Sequence, residues 1–419
     1  MNEEHCRRYA ELLVKLGVDL RPRQPLYIHG QVAHRRLIAL LTEVAYEAGS
    51  GPVETRFFDP LQHAALIRHG RFEDIELFHS HVQLWYSELL RHGAAYICLL
   101  GPEIPQLWEE IARSCPERHA VYQRGAAVAL GGFQRYGFEG QCCPWVGAAC
   151  PTPGWAKQVF PDLPEAEACD RLAELIFQFT YADREEALEL AAARDRQLKA
   201  RCRKLDELGI TEIHVTGGQT DLRVCFSRKA RWQGGSLKTS TGQTFYANMP
   251  SLEVYTTPHR RLTEGRLAVT RPFRLPRAPL VRDLVLRFQG GEVVELDASE
   301  GLEAFSRFLE TDEGARYLGE FALVGENSSI AQSGLFFDLG LIDENASSHV
   351  ALGKGLVRPL SGGESMSLRE LEDLGCNQSS THTDIMFGSA EITVVATESR
   401  EGEVVLLDRG RWTERFVKG

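Results

Sequence analysis

The sequence predicts an α/β N-terminal domain with a mainly parallel sheet, then an α+β C-terminal domain built on a large antiparallel or barrel-like sheet. Three observations predict it. Apolar strand-like runs alternate with helical periodicity through the first part of the chain. A long charged helical segment runs from Asp183 to Gly209. Beyond Gly209 the pattern changes to short alternating strands separated by glycine turns. The predicted boundaries are residues 1–180 for the first domain, 181–209 for a connecting helix and 210–419 for the second domain.

Each element follows from its own pattern. "RRYAELLVKLGVDL" places Tyr9, Leu12, Leu13 and Leu16 on one helical face. "QPLYIHG" is a short apolar strand, "RRLIALLTEVAYEAGS" a helix ending at Gly49, and "PVETRFFD" a second strand. "HGAAYICLLG" reads as a buried strand and "PQLWEEIARSC" as a helix opened by proline. The Pro/Gly-rich passage at 142–164 breaks this rhythm, and "EAEACDRLAELIFQFTY" resumes it as a helix. In the second half "TEIHVTG", "TDLRVCFS" and "RLAVTRP" are strands, and "LVRDLVLRFQGGEVVEL" is a hairpin turning at Gly290-Gly291. The helical segment "GLEAFSRFLETDEGARYLG" interrupts the strands, and "AEITVVATES" and "GEVVLLDRGRW" close the chain.

Composition narrows the function classes. The 419 residues carry a formal net charge of −11, the opposite of the basic excess that a general nucleic-acid binder shows. "MNEEHCRRYAELL" lacks the basic start and apolar centre of a signal peptide, and runs such as "AAYICLLG" are too short to span a bilayer. The expectation is a cytoplasmic protein with no nucleic-acid or membrane partner. The 10 cysteines are scattered without a C-x-x-C pair, which suggests neither a zinc ribbon nor a thioredoxin-type site.

"THTDIMFGS", Thr381 to Ser389, holds the most informative pattern. Read as a strand, it points His382 and Asp384 to one face, with Thr381 and Thr383 on the other. An imidazole and a carboxylate side by side on a stiff element suit a divalent metal; they equally suit a hydrogen-bonded pair at a strand edge. Three further segments could add ligands. Glu253 is the sole acid between Pro250 and Pro258, Glu320 precedes the apolar run "FALV", and His349 lies among small residues in "DENASSHVALG". Taken singly, each has a plainer reading: an exposed edge glutamate, a helix-to-strand boundary acid, a core histidine. His79 and His81 fall in a helical stretch where i and i+2 do not share a face, His214 has no suitably spaced acid in the sequence, and His259 is peripheral.

Taken together, "TPGWAKQVFPDLP", "TDLRV", "WQGG", "NMPSLEVYTTPHR", "LGEFALV", "FDLGLIDENASSHVALG" and "THTDIMFGS" resemble the thermophilic metallo-aminopeptidases of the aminopeptidase T and aminopeptidase S type, peptidase family M29. The resemblance implies that the second domain is a metal-binding catalytic domain. It implies that Glu253, Glu320, His349, His382 and Asp384 bind two divalent metal ions, with Glu320 also a candidate for moving the catalytic proton. It implies a homodimer with enclosed active sites acting on short peptides. Carboxylate and imidazole ligands suit zinc, cobalt or manganese, and two such ions activate water and clamp the reacting oxygens.

One departure stands out. The family carries a tyrosine seven residues after the equivalent of His349, where this chain has Leu356 in "ALGKGLV". A helical segment would place Leu356 on the same face as His349, so a substrate-facing phenol would be missing and dipeptide turnover would be slow. Tyr255, two residues beyond Glu253, is the nearest alternative donor in sequence. The other functional readings are a repurposed paralogue serving a biosynthetic pathway and a single-metal ring-opening dioxygenase with a His/His/Asp site. Retention of both glutamates argues against the dioxygenase.

Overall fold

Four apolar segments of the first half pair in parallel: β1 (Leu26–Gln31), β2 (Val53–Phe58), β3 (Ala95–Leu100) and β4 (Trp145–Ala149). Their order is β2-β1-β3-β4, and the two-residue strand Asn248–Met249 adds to β4, again in parallel. These strands belong to a computed structural model that describes residues 2–275 and 279–417, so the ends of the first and last predicted domains, Met1 and residues 418–419, lie outside the described residues. Parallel strands need crossovers, and helices supply them. In the helix Arg35–Glu47, Leu37, Ile38, Leu41, Val44 and Ala45 make one buried stripe.

The passage at 142–164, which the sequence pattern marks as a break, holds β4 and the helix Pro153–Val159. Pro144, Pro151 and Pro153 bracket a five-residue apolar run and hide it. Pro153 starts the helix where its missing N–H leaves no bond unmade, and Thr152 Oγ1 accepts from the Trp155 N–H at 3.2 Å. The helix expected to open at proline, Leu107–Ser114, begins two residues after Pro105.

The chain divides into two units: residues 1–192 with 236–250, and residues 193–235 with 251–419. The second unit is a set of antiparallel strands in two principal sheets. The strands of these two sheets are β5 (Glu212–Gly217), β6 (Thr220–Phe226), β7 (Val254–Thr256), β8 (Pro258–Ala268), β9 (Val285–Gln289), β10 (Glu292–Asp297), β11 (Leu318–Leu323), β12 (His349–Gly353), β13 (His382–Met386), β14 (Thr393–Glu398), β15 (Val404–Asp408) and β16 (Arg411–Trp412). The larger sheet has eight strands in the order β10-β9-β8-β6-β5-β14-β15-β16; the smaller has four, β7-β11-β12-β13. The β9–β10 hairpin turns where the sequence places it. Gly290 and Gly291 have φ of +59° and +79°, the pair of positive angles that a two-residue turn matched to strand twist requires.

The smaller sheet has two unlike faces. Thr256, Phe321, Val350 and Ile385 stand in register across its four strands. Phe321, Val350 and Ile385 are fully buried in the main core of this unit, and Phe321 packs edge-on against Phe226 with ring centroids 5.7 Å apart. The opposite face carries the polar residues described below. No helix among the described residues is long and apolar enough to cross a membrane.

Candidate metal centre

Strand alternation assembles the site. On β11, Glu320 pairs with Ala351 of β12, which pairs with Asp384 of β13; Ala322 pairs with His349, and Gly353 with His382. Residues directly paired, or two apart on one strand, share a face. Glu320, His349, His382 and Asp384 therefore all rise from the face opposite Phe321 and Val350. Glu253 enters from just before β7, where Tyr255 pairs with Ala322. Alanines at 322 and 351 leave the space between these larger side chains open.

The five residues implied by the resemblance are thus brought together, in two groups that share Glu320. Ligand atoms of Glu253, Glu320 and His349 lie within 4.8 Å of one another, as do those of Glu320, His382 and Asp384. The first group is buried, with His349 1% exposed; the second is the more open, with the His382 side chain at 31%. Glu253 is therefore no exposed edge residue, and Glu320 is the third residue of β11, well inside the strand rather than at its boundary.

Both imidazoles are held in the same way. His349 Nδ1 lies 3.1 Å from the Ser347 carbonyl and His382 Nδ1 2.9 Å from the Lys354 carbonyl. A carbonyl only accepts, so each Nδ1 carries a proton and each Nε2 is turned to the carboxylates. His349 Nε2 is 3.2 Å from Glu253 Oε2, and His382 Nε2 is 3.2 Å from Glu320 Oε2 and 3.6 Å from Asp384 Oδ1. Glu253 Oε2 is buried and accepts no well-aligned hydrogen bond. A lone pair facing a carboxylate oxygen needs a proton or a cation between them, and this donor set of oxygens and Nε2 atoms fits divalent cations.

Electrostatics agree with the geometry. Burial disfavours the charged forms of both histidines, yet the carboxylates outweigh it. His349 is pushed up to about 10, chiefly by Glu253, and His382 is raised well above its ordinary value by Asp384 and Glu320. Burial raises Glu320 above the usual carboxylate range, with His382 opposing and Glu253 adding. Burial also pushes Asp384 upward, but His382 and His349 bring it below the usual range.

A further carboxylate escapes the sequence pattern. Glu344, in the turn Glu344–Ala346, is raised well above the usual range by burial, then by the charges of Glu253 and Asp384. Its neighbours fix it. Asn345 Oδ1 accepts from the Leu252 N–H at 2.6 Å, tying this turn to the residue before Glu253. Asp343 accepts from the N–H groups of Phe337 and Leu339, both at 2.9 Å. The available signal is the "DEN" run just ahead of His349.

Leu356 requires a correction. The segment after His349 is strand β12 followed by a bend, not a helix, so the seven-residue spacing does not place Leu356 on the face of His349. Its backbone instead lies against the start of β11 and the end of β7: the Leu356 N–H reaches the Gly319 carbonyl at 3.3 Å, and Thr257 Oγ1 donates to the Leu356 carbonyl. Tyr255 is on the ligand face, two residues from Glu253, with its phenol raised above its ordinary value by burial, opposed by Arg358, with Glu320 and Glu253 adding.

Two glycines allow the close approach that holds His382. A Cβ on Gly353, at φ +105°, would stand 2.2 Å from the Thr381 carbonyl oxygen, and one on Gly319 2.2 Å from that of Lys354. The other histidines singled out in the sequence have surroundings of their own. His79 is buried at the start of the helix Ser80–Arg91, against Tyr122 with ring centroids 4.6 Å apart. His259 Nδ1 accepts from the Arg261 N–H at 3.3 Å. His214 does have an acid: the β5–β6 hairpin brings Asp221 Oδ1 to 2.6 Å from its Nε2. The turn reverses the chain, which linear spacing does not reveal.

Known proteins share this plan. The match to the family described as thermophilic metalloprotease (M29) spans residues 2–412. Aminopeptidase T of Thermus aquaticus is 35% identical over 418 residues, covering 98% of both chains. Aminopeptidase AmpS of Bacillus subtilis (strain 168) is 30% identical over 404 residues, 96% of this chain and 97% of its own. The solved structure of wild-type AmpT from Thermus thermophilus superposes with a TM-score of 0.88 at 32% identity, covering 98% of this chain and 99% of that one. The chain accordingly belongs to the thermophilic metalloprotease (M29) family and is a metal-dependent hydrolase.

Proposed function

We propose that this protein is a two-metal aminopeptidase that removes N-terminal residues from short peptides in the cytoplasm, working as a homodimer. The observation that carries the reading is the pair of ligand groups meeting at Glu320. Glu253, His349 and Glu320 would hold a deep ion; Glu320, His382 and Asp384 an outer one. Divalent ions bound there supply polarisation of the scissile carbonyl and acidify a water at neutral pH. Glu320, a candidate from sequence for ligand and proton carrier at once, would be committed to metal binding, since it belongs to both groups. Glu344 belongs to neither group, and its carboxyl, raised by burial and by the charges of Glu253 and Asp384, would take the water's proton and pass it to the leaving amine. The cluster's negative charge suits the substrate's α-ammonium. All 10 cysteines are free thiols, which supports a reducing compartment. Zinc, cobalt or manganese fits the oxygen and nitrogen donors.

The test is hydrolysis of dipeptides and aminoacyl p-nitroanilides by protein stripped of metal and reloaded. Activity should vanish on chelation and return as a second equivalent of ion is added. Full activity at one ion per chain would favour the single-metal alternative, in which Glu253 and Glu320 have no common task. Metal loading without turnover of any aminoacyl substrate would favour the repurposed paralogue. For the assembly, light scattering at micromolar concentration should give twice the chain mass; a fully active monomer would refute the dimer.

A further inference from the structure

We propose that Tyr255 is a catalytic residue of this site, its phenol donating a hydrogen bond to the substrate's carbonyl oxygen as that oxygen gains negative charge; the inference rests on the peptidase reading above. Geometry places it. Tyr255 shares the ligand face with Glu253, is paired across β7–β11 with Ala322, and Ala322 is paired in turn with His349. The row Tyr255–Ala322–His349 has a methyl group at its middle, so the phenol meets no bulky side chain between itself and the ligands.

The hydroxyl is uncommitted. Tyr255 is only partly buried, and its hydroxyl makes no hydrogen bond to the protein among the described residues. A phenol in such surroundings normally finds a partner. Its pairing with Ala322 sets it diagonally across from Glu320, two residues away on the same face of β11 and the ligand shared by both groups. Its partner is therefore expected from outside the chain.

Nearby donors are otherwise engaged. Thr257 Oγ1 donates to the Leu356 carbonyl. The Lys354 N–H bonds the Thr381 carbonyl at 2.6 Å. The imidazole Nδ1–H groups are held by Ser347 and Lys354 carbonyls. Arg358 lies 3.9 Å from Glu364. The Leu356 side chain offers no proton, and its backbone sits against Thr257, just past the end of β7 and two residues from Tyr255.

Removing one well-placed oxyanion donor costs on the order of 10²–10³ in turnover. The experiment compares the unmodified enzyme with Tyr255→Phe, Leu356→Tyr and the double variant, all metal-loaded. Metal content is measured first, then kcat and KM on a dipeptide, then calorimetric affinity for an aminoacyl phosphinate, whose tetrahedral oxygens imitate the charged carbonyl. Tyr255→Phe should keep its metal and its KM. It should lose about 10²–10³ in kcat and a similar factor in phosphinate affinity, with affinity for the product amino acid unchanged. Leu356→Tyr should recover part of the loss in the double variant and add much less to the unmodified enzyme. Equal kcat and phosphinate affinity in Tyr255→Phe would overturn the inference while leaving the peptidase reading intact. Loss of metal in Tyr255→Phe would overturn it too, making Tyr255 structural. An unmodified enzyme that cleaves no aminoacyl substrate would instead refute the peptidase reading.

Discussion

Glu320→Ala is expected to empty the centre, losing both ions and lowering peptide hydrolysis by on the order of 10⁴-fold or more. Each ligand group depends on this residue: its carboxylate lies within 4.8 Å of ligand atoms of Glu253 and His349 on one side and of His382 and Asp384 on the other. Removing it also takes from His382 Nε2 its nearer carboxylate and leaves Asp384 at 3.6 Å. Glu253→Ala and Asp384→Ala should behave differently, each losing one ion and keeping the other. Metal analysis of the three dialysed variants reads the contrast directly. Two ions retained by Glu320→Ala, or one ion lost from all three variants alike, would show that the groups do not share a ligand.

The second large effect is of pH on metal affinity. In the ion-free centre His349 is pushed up to about 10 and His382 is also raised. Both imidazoles therefore carry a second proton at neutral pH, and that proton sits on Nε2, where an ion must bind. Binding releases it. The sign follows: affinity rises with pH while these protons are present, about tenfold per unit for each ion, which displaces one proton, and so roughly 100-fold per unit in the product of the two binding constants. Calorimetry from pH 6 to 8 in buffers of unlike ionisation enthalpy should report about two protons released per chain. Zero release would contradict the assignment of Nε2. In the ion-free protein the raised values also mean that the imidazolium–carboxylate pairs stabilise the fold fully below the ordinary histidine range. That contribution is lost as pH rises through about 10.

Much of the fold is legible in the amino-acid sequence alone, and the failures have physical causes. Periodicity reveals β1, β2 and β3 because their apolar runs are flanked by amphipathic helices. It misses β4 because three prolines surround a strand of five residues. The i, i+2 reading of His382 and Asp384 succeeds because a strand's alternation is local. Convergence of Glu253, Glu320 and His349 on the same face depends on register between strands far apart in the chain, so only resemblance to a known family suggests it. Leu356 is misplaced by spacing because "SSHVALGKG" does not declare its period: alanine, leucine and glycine suit a helix turn or a buried strand. Glu344 stays hidden between Asp343 and Asn345, where an acidic turn looks like ordinary surface.

The two histidine rings are aimed by main-chain oxygens, those of Ser347 and Lys354, which every amino acid possesses. The instructions for orienting them are therefore written in the path of the chain, and the letters at 347 and 354 do not encode them. Substituting Lys354 should leave its carbonyl in place, so a mutational survey would score that position as permissive while its oxygen remains indispensable. The cost appears elsewhere, at Gly319 and Gly353, which supply no ligand atom yet govern how near the strands can run. An engineer wishing to retune this centre would gain little by altering the residues that supply the carbonyls, and would disturb it most from two positions that have no side chain at all.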